Sequence, residues 1–208
     1  MEGFFSFSES VIVEQTFDKS VFTAVACPAE SVREVEENMR QVRGDYPKAR
    51  HYVYAYRLWT TRGEKASDDG EPQGTGGRPV LEALVHRRIW NAHMIVVRYF
   101  GGILLGTGGL SRAYGGTARL ALERANVYQM AEHWRVSLRI SYSFYDEFRY
   151  GCARRGWRIE TEEYREYVYV SLTVPVEEEG QYVSWMTEAG HGRVTCLDKE
   201  CVWRKLGH

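Results

Sequence analysis

Three carboxylates lie close together in a segment of the chain that is rich in glycine. Asp68, Asp69 and Glu71 fall within residues 67–77, which contain too much Gly, Pro and Asp for a helix or a strand. Such carboxylates could hold Mg²⁺ beside a histidine base, as in a metal-dependent hydrolase. Carboxylates in glycine-rich loops more often bond to nearby amides or cap helices. We therefore predict a structured acidic loop whose carboxylates accept hydrogen bonds from amides such as those of Gly74 to Gly77, without a metal, a cofactor or a catalytic residue.

A second glycine-rich segment follows an apolar stretch and precedes a helical pattern. The order of strand, glycine loop and helix is typical of nucleotide-binding proteins, but Ser111 replaces the third glycine of the dinucleotide fingerprint, and no Lys-Ser/Thr pair follows Gly106. The remaining features are backbone amides that are free to donate and a helix N-terminus that favours an anion. We predict an anion-binding loop, with a simple tight turn as the alternative. Its glycines are Gly101, Gly102, Gly106, Gly108 and Gly109.

The helix after this loop places two arginines and two glycines on one face. Arg112, Gly115, Gly116 and Arg119 are spaced i, i+3, i+4 and i+7. Glycine inside a helix costs about 1 kcal/mol relative to alanine, so close approach of a phosphate backbone or packing under another element must explain the pair. With Arg98 in the preceding strand, these residues form the predicted nucleic-acid interface. The opposite face carries the expected core residues Leu110, Ala113, Tyr114, Thr117 and Ala121.

Charge and composition narrow the class of protein. The net charge of the 208 residues is −1, but residues 78–124 contain seven arginines and two glutamates, a local charge of +5. This patch could meet a polyanion or form a solvated basic face. The apolar fraction of 44% is that of a globular protein, and no apolar run is long enough to span a membrane. Four scattered cysteines without a C-x-x-C pair, together with a start that lacks the basic region of a signal peptide, lead us to expect a cytoplasmic protein.

Hydrophobic periodicity predicts the elements that position these residues. In the first part of the chain, Ser31 and Glu34 form a capping box at the start of a helix. The predicted elements that follow are a strand at 49–59, a helix at 79–89, a buried strand at 92–99 and a helix at 110–125.

The last third of the chain predicts a separate domain with the order β-α-β-β-α-β, which is ferredoxin-like. Its predicted elements are strand 135–142, helix 145–155, strand 157–164, strand 167–174, helix 178–189 and strand 193–203. The open face of this sheet would carry Arg135, Arg139, Tyr167 and Tyr169. We favour a role for that face in domain packing. The alternative is an RNA-binding surface, because the pattern of residues partly resembles the aromatic strand of the RNA-recognition motif.

Several motifs together resemble the YigZ/IMPACT family. They are Ser67-Asp68-Asp69-Gly70-Glu71-Pro72-Gln73-Gly74-Thr75, Arg98-Tyr99-Phe100-Gly101-Gly102 and Leu105-Gly106-Thr107-Gly108-Gly109-Leu110-Ser111-Arg112-Ala113-Tyr114, with Lys19-Ser20 and His51 as further landmarks. Two positions depart from the pattern, because Val21 stands where a basic residue is expected and Gly76 where alanine is more usual.

The resemblance implies an α+β protein with two domains. Residues 1–130 would be similar to domain IV of elongation factor G, and residues 131–208 would be similar to its domain V. It also implies a non-enzymatic regulator linked to translation, whose partner is RNA or a ribosome-associated protein. A metal-dependent hydrolase using Asp68, Asp69 and Glu71 is the alternative. The sequence leaves open the identity of the partner and the oligomeric state.

Overall fold

The computed structural model describes residues 3–206, which form two compact domains, each built on an antiparallel sheet. The first extends from Phe4 to Gln129, and the second begins at Met130. The protein is therefore of the α+β class, as the sequence predicts. Among the described residues, no helix combines the length and the apolar character needed to cross a membrane.

The first domain contains six strands and three helices. They are β1 (Phe4–Phe7), β2 (Val11–Phe17), β3 (Ser20–Pro28), α1 (Val32–Asp45), β4 (His51–Leu58), β5 (Gly63–Ser67), α2 (Gly77–His86), β6 (Ala92–Tyr99) and α3 (Gly106–Arg124). Five of the strands form a sheet in the order β2-β3-β6-β4-β5, with every neighbouring pair antiparallel. The sheet places the central strand β6 between β3 and β4, so β6 is buried from Ala92 to Arg98.

Helices cover both faces of this sheet. On one face, α2 and α3 pack on alternate residues of β3, β4 and β6, and Tyr114 and Phe22 are among the fully buried side chains there. On the other face, α1 buries Val35 and Val42 against the sheet. Alternation along each strand thus sends apolar side chains into two separate cores.

The capping box expected at the start of α1 is present. The side chain of Ser31 accepts a hydrogen bond from the Glu34 amide at 3.3 Å. The Glu34 carboxylate in turn accepts from the amide of Glu30 at 2.5 Å. The first bond satisfies an amide that the helix leaves unpaired, whereas the second reaches the residue before the N-cap instead of the Ser31 amide.

The second domain follows the predicted order of strands and helices. Its elements are β7 (Val127–Ile140, which begins in the first domain), α4 (Tyr142–Arg155), β8 (Arg158–Tyr164), β9 (Val168–Pro175), a 3₁₀ turn (Val176–Glu178), α5 (Glu179–Gly190) and β10 (Val194–Lys205). Strand β7 pairs with β10 on one side and β9 on the other, and β8 pairs with β9, all antiparallel. One face of the sheet packs under the helices through buried Val136, Leu138 and Ile140 of β7 and the facing residues of β9.

Two boundaries differ from the predictions by four residues or more, and one short polar strand was not predicted. Helix α3 begins at Gly106 instead of residue 110, because glycines are accepted in a first turn whose amides have no intrahelical partner. Strand β7 begins at Val127 instead of residue 135, so the segment expected to connect the domains is itself extended. The short polar strand β5 was not predicted, and it forms because it pairs with β4 at the sheet edge.

Candidate functional site

Asp68 organises the acidic loop by accepting hydrogen bonds from backbone amides. One carboxylate oxygen accepts from Gly76 and Gly77, each at 2.8 Å, and the other accepts from Gly74 at 2.8 Å. These amides lead into α2, so Asp68 caps that helix. Burial opposes the ionised form, but the three amide hydrogen bonds outweigh it, and the pKa of Asp68 is lowered. This is the arrangement predicted from the sequence for the loop.

Asp69 connects the loop to β4 and α1. Its carboxylate accepts a hydrogen bond from the Tyr52 amide at 2.7 Å and lies 3.8 Å from the Arg43 guanidinium. Its backbone carbonyl lies 2.7 Å from Nδ1 of His51. Because a carbonyl oxygen only accepts, Nδ1 of His51 carries the proton of this bond. His51 therefore faces the acidic loop and helps to fix its backbone.

Glu71 lies in a buried polar cluster with residues from β6 and α3. Its Oε1 atom accepts from Nη1 of Arg98 at 2.7 Å and from the Tyr114 hydroxyl at 2.9 Å. The side chains of Arg98 and Glu71 are 8% and 4% exposed, so the ion pair is shielded from solvent. Burial and the neighbouring Glu71 charge together raise the pKa of Tyr114, which keeps its hydroxyl a donor. The cluster ties the loop to the strand and the helix that follow it.

The three carboxylates of the loop do not converge on one point. Asp68 faces amides, Asp69 faces β4 and Arg43, and Glu71 faces Arg98 and Tyr114. Among residues 3–206, no group of three or more His, Cys, Asp or Glu side chains is arranged to hold a metal ion. The hydrolase alternative required these carboxylates to share an ion. The geometry of the loop does not support it.

The glycine loop divides into parts with different roles. Gly101 packs so closely on the chain at Lys19 that a Cβ there would lie 2.0 Å from its backbone, and its amide donates to Ser20 Oγ at 3.1 Å. This amide is therefore not free for an anion. Gly102 and Gly106 have positive φ, and Gly106, Gly108 and Gly109 form the first turn of α3. That turn has no side-chain cap and no acidic residue, so its amides keep the properties of an anion-binding helix terminus.

Arg112 and Arg119 lie on the exposed face of α3, as the spacing predicts. The Arg112 guanidinium folds back over the first turn, with Nη1 3.5 Å from the Cβ position of Gly108. The Arg119 guanidinium folds back similarly over Gly115 and Gly116. Within the described part of the chain, neither arginine has an ion-pair or hydrogen-bond partner. We call this surface the α3 face, defined by Arg112, Gly116, Arg119 and the first turn of α3.

The two glycines inside α3 differ in their surroundings. Gly115 is buried, and a Cβ there would lie 3.2 Å from the Cβ of Pro79, so helix packing against α2 explains why this residue lacks a side chain. Gly116 is partly exposed, and a Cβ there would meet only ordinary contacts, at 3.8 Å with Gln15 and Phe17 and at 3.9 Å with Arg119. Packing within the domain therefore accounts for Gly115 and not for Gly116.

Arg98 is placed differently from the other residues of the predicted interface. It is buried and bonded to Glu71, so it belongs to the loop cluster and not to the α3 face. No sequence pattern indicates this pair, because the residues are 27 positions apart and meet only when the loop folds over β6. The contact of Tyr114 with Glu71 was missed for the same reason.

The open face of the second sheet has arginines that are already paired. Arg135 forms an ion pair with Glu200 at 2.7 Å and lies 3.6 Å from Glu160. Arg139 lies over the Tyr167 ring at 4.8 Å from its centroid. Because both arginines already have partners within the domain, this face resembles an RNA-recognition strand only weakly.

Comparison with known proteins shows similarity in both domains. Residues 18–122 match the Impact N-terminal domain, and residues 138–193 match a Domain of unknown function (DUF1949). The chain is 28% identical over 200 residues to the IMPACT family member YigZ of Escherichia coli (strain K12), covering 95% of this chain and 98% of that protein. It is 29% identical over 204 residues to the IMPACT family member YvyE of Bacillus subtilis (strain 168), covering 98% and 94%. A solved crystal structure of a hypothetical protein is similar with a TM-score of 0.63 and 28% identity, over 96% of this chain and 98% of the other.

Proposed function

The chain belongs to the IMPACT family, and on this premise we propose that it is a non-enzymatic, translation-linked regulator that binds RNA through the α3 face. The link with translation rests on the resemblance of its domains to domains IV and V of elongation factor G. For the second domain, the strand order β10-β7-β9-β8 supports a ferredoxin-like topology. A cytoplasmic location belongs to the same proposal, and the unpaired, buried Cys27 and Cys152 suit a reducing compartment.

The observation that carries the proposal is the pair of unpartnered arginines on one exposed helix face. Arg112 and Arg119 are seven residues apart, which corresponds to roughly 10 Å along the helix axis. Both guanidinium groups are therefore available to separate phosphates of one backbone. A guanidinium that is not engaged by a protein carboxylate has no ion pair to lose when a phosphate binds.

The start of α3 adds a second anion-binding element beside Arg112. Four backbone amides at the N-terminus of a helix lack intrahelical partners, and the helix dipole places partial positive charge there. In the described part of the chain, no N-cap side chain takes up the amides at the start of α3. A phosphate held by Arg112 would thus also meet a favourable field from the first turn.

Helix α1 provides a control for the α3 face. It has two exposed arginines at the same spacing, but the net charge of the helix is negative instead of positive. Arg33 and Arg40 are also seven residues apart, but α1 contains four acidic residues and three arginines. Helix α3 contains three arginines and one glutamate. Replacing both arginines removes the same charge from either helix, so only local surroundings differ.

The test is RNA binding measured by fluorescence anisotropy with several single-stranded RNAs of different sequence. We expect Arg112→Ala with Arg119→Ala to lower affinity at least tenfold for every sequence, because phosphate contacts carry no sequence information. Arg33→Ala with Arg40→Ala should change affinity less than twofold. Equal losses in both variants, or no RNA binding by the unmodified protein, would contradict the proposal. If ribosome association is lost in the α3 variant while free RNA is never bound, a ribosome-associated protein is the partner instead.

A further inference from the structure

A small cavity beside the acidic loop has the chemistry of a second binding site. It has a volume of about 260 Å³ and is lined by Arg50, His51, Arg98, Phe100 and Leu104. These residues come from the start of β4, the end of β6 and the loop before α3. None of the arginines of the α3 face lines it. The cavity is therefore separate from the proposed RNA-binding surface.

Arg98 gives this cavity a buried cation with unused donors. Its side chain is only 8% exposed, yet Glu71 engages only Nη1. Its Nε atom is buried, and no residue in the described part of the chain accepts a hydrogen bond from it. A guanidinium has five N–H donors, and a buried donor left unsatisfied is unfavourable. Nε itself is enclosed, so an anionic acceptor in the cavity would bond the Nη2 group, which has no hydrogen-bond partner within residues 3–206.

Two further residues make the cavity suitable for an anion. Arg50 is exposed and, within residues 3–206, has no ion-pair or hydrogen-bond partner. His51 uses Nδ1 to bond the Asp69 carbonyl, which fixes its ring and leaves Nε2 as an acceptor for a hydroxyl group of a ligand. The nearby carboxylates have cationic partners of their own, since Asp69 lies 3.8 Å from the Arg43 guanidinium and Glu71 is paired with Arg98. The cavity thus keeps an uncompensated positive charge.

The remaining wall of the cavity is aromatic and apolar. Phe100 is 52% exposed and Leu104 is 87% exposed, although both are large apolar residues. The Arg98 guanidinium lies 5.5 Å from the centroid of the Phe100 ring. An exposed aromatic ring beside a cationic group is the combination that stacks a base and holds its phosphate.

We propose that this cavity binds a single nucleoside monophosphate unit. Arg98 and Arg50 hold the phosphate beside His51, and the base stacks on Phe100 with Leu104 at its edge. The volume suits one nucleotide and excludes a helical segment of nucleic acid. The unit is either a free nucleotide or the 5′-terminal nucleotide of an RNA, and both present the same chemistry. This site does not depend on the α3 face.

The experiment is isothermal titration calorimetry of the full chain with AMP, and with adenosine and inorganic phosphate as partial ligands. We expect AMP to bind at least tenfold more tightly than either part, because the base and the phosphate contact different walls of the cavity. Phe100→Ala and Arg50→Ala should each weaken AMP binding at least tenfold. Matched controls are Ile103→Ala, an exposed apolar residue of the same loop that does not line the cavity, and Arg40→Ala on α1. Arg98 is left intact because its loss would leave Glu71 buried and unpaired.

A second arm identifies the source of the nucleotide. In the Arg112→Ala/Arg119→Ala background, a short single-stranded RNA is compared with and without its 5′-phosphate. Preference for the 5′-phosphorylated RNA that is lost in Phe100→Ala, without AMP binding, assigns the cavity to an RNA end. AMP binding without such a preference assigns it to a free nucleotide. If neither ligand binds, or if Ile103→Ala and Phe100→Ala have equal effects, the cavity is not a nucleotide site.

Discussion

The acidic loop and the α3 face lie in the same domain but differ in how their charges are satisfied. In the loop, Asp68 accepts from three amides and Glu71 is paired with Arg98 and Tyr114. On the α3 face, Arg112 and Arg119 have no partner among residues 3–206. Charged groups that are paired inside the protein stabilise the fold, whereas exposed charged groups without a partner are available to bind a ligand. Substitutions in the two regions should therefore affect different properties.

The largest effect is expected for Glu71→Gln, which tests whether the loop cluster is structural. Removing one partner of a buried ion pair leaves Arg98 uncompensated, which costs roughly 3–5 kcal/mol. We expect the free energy of unfolding, measured by urea denaturation, to fall by that amount. Tyr114→Phe removes only one hydrogen bond to the same carboxylate and should cost about 1–2 kcal/mol. Equal and small losses in both variants would show that the cluster is not a buried ion pair.

His93, like the two arginines of the α3 face, is a titratable residue without a hydrogen-bond partner within residues 3–206, but it is buried. It is fully buried, neither ring nitrogen has a hydrogen-bond partner within residues 3–206, and the rings of Tyr54 and Tyr56 meet it edge-on. Burial lowers the pKa of His93 to about 4 from its usual value of 6.5. Between these values the unfolded chain binds a proton that the folded protein does not, so stability falls as pH decreases from 6.5 to 4.

The expected loss from His93 over this range is on the order of 3 kcal/mol. It is measured by urea denaturation at a series of pH values. His93→Phe keeps an aromatic ring between the two tyrosines and should flatten this part of the profile. If the profile of the variant follows that of the unmodified protein, His93 does not control it.

Asp68→Asn tests the capping role of the loop with a smaller expected effect. It weakens charge-assisted bonds to the three amides, at about 1 kcal/mol for each bond lost. Because the pKa of Asp68 is lowered in the fold, its contribution is present at neutral pH and is lost as pH falls through that lowered pKa. Asp45→Asn, at the exposed end of α1, is the matched control. Calorimetry that detected a Mg²⁺ site lost in Asp68→Asn would favour the hydrolase instead.

Gly116→Ala tests whether Gly116 contributes to RNA binding, and it is the substitution expected to change stability least. A methyl group there meets only ordinary contacts, and alanine is favoured over glycine inside a helix by about 1 kcal/mol. Stability should stay the same or rise by up to about that amount, while RNA affinity falls because the methyl group lies on the α3 face. A variant that is both more stable and equally able to bind RNA would remove Gly116 from the interface.

Local features of the fold were predictable from the sequence, and long-range pairs were not. The capping box at Ser31 and the arginine face of α3 follow from spacing within one element. The bond between Tyr114 and Glu71 joins residues 43 positions apart, and no pattern in either segment specifies it. The start of α3 was placed too late, because glycine has low helix propensity but is accepted in the first turn. Arg98 was assigned to the interface on charge alone, whereas burial places it beside Glu71.

The most direct test of RNA binding through the α3 face is the salt dependence of affinity for single-stranded RNA. Each phosphate contact contributes about 0.7 to the slope of log affinity against log salt concentration. Arg112→Ala with Arg119→Ala should therefore make the slope shallower by about 1.4, while Arg33→Ala with Arg40→Ala leaves it unchanged. Parallel lines for the unmodified protein and the α3 variant would show that Arg112 and Arg119 do not contact phosphate.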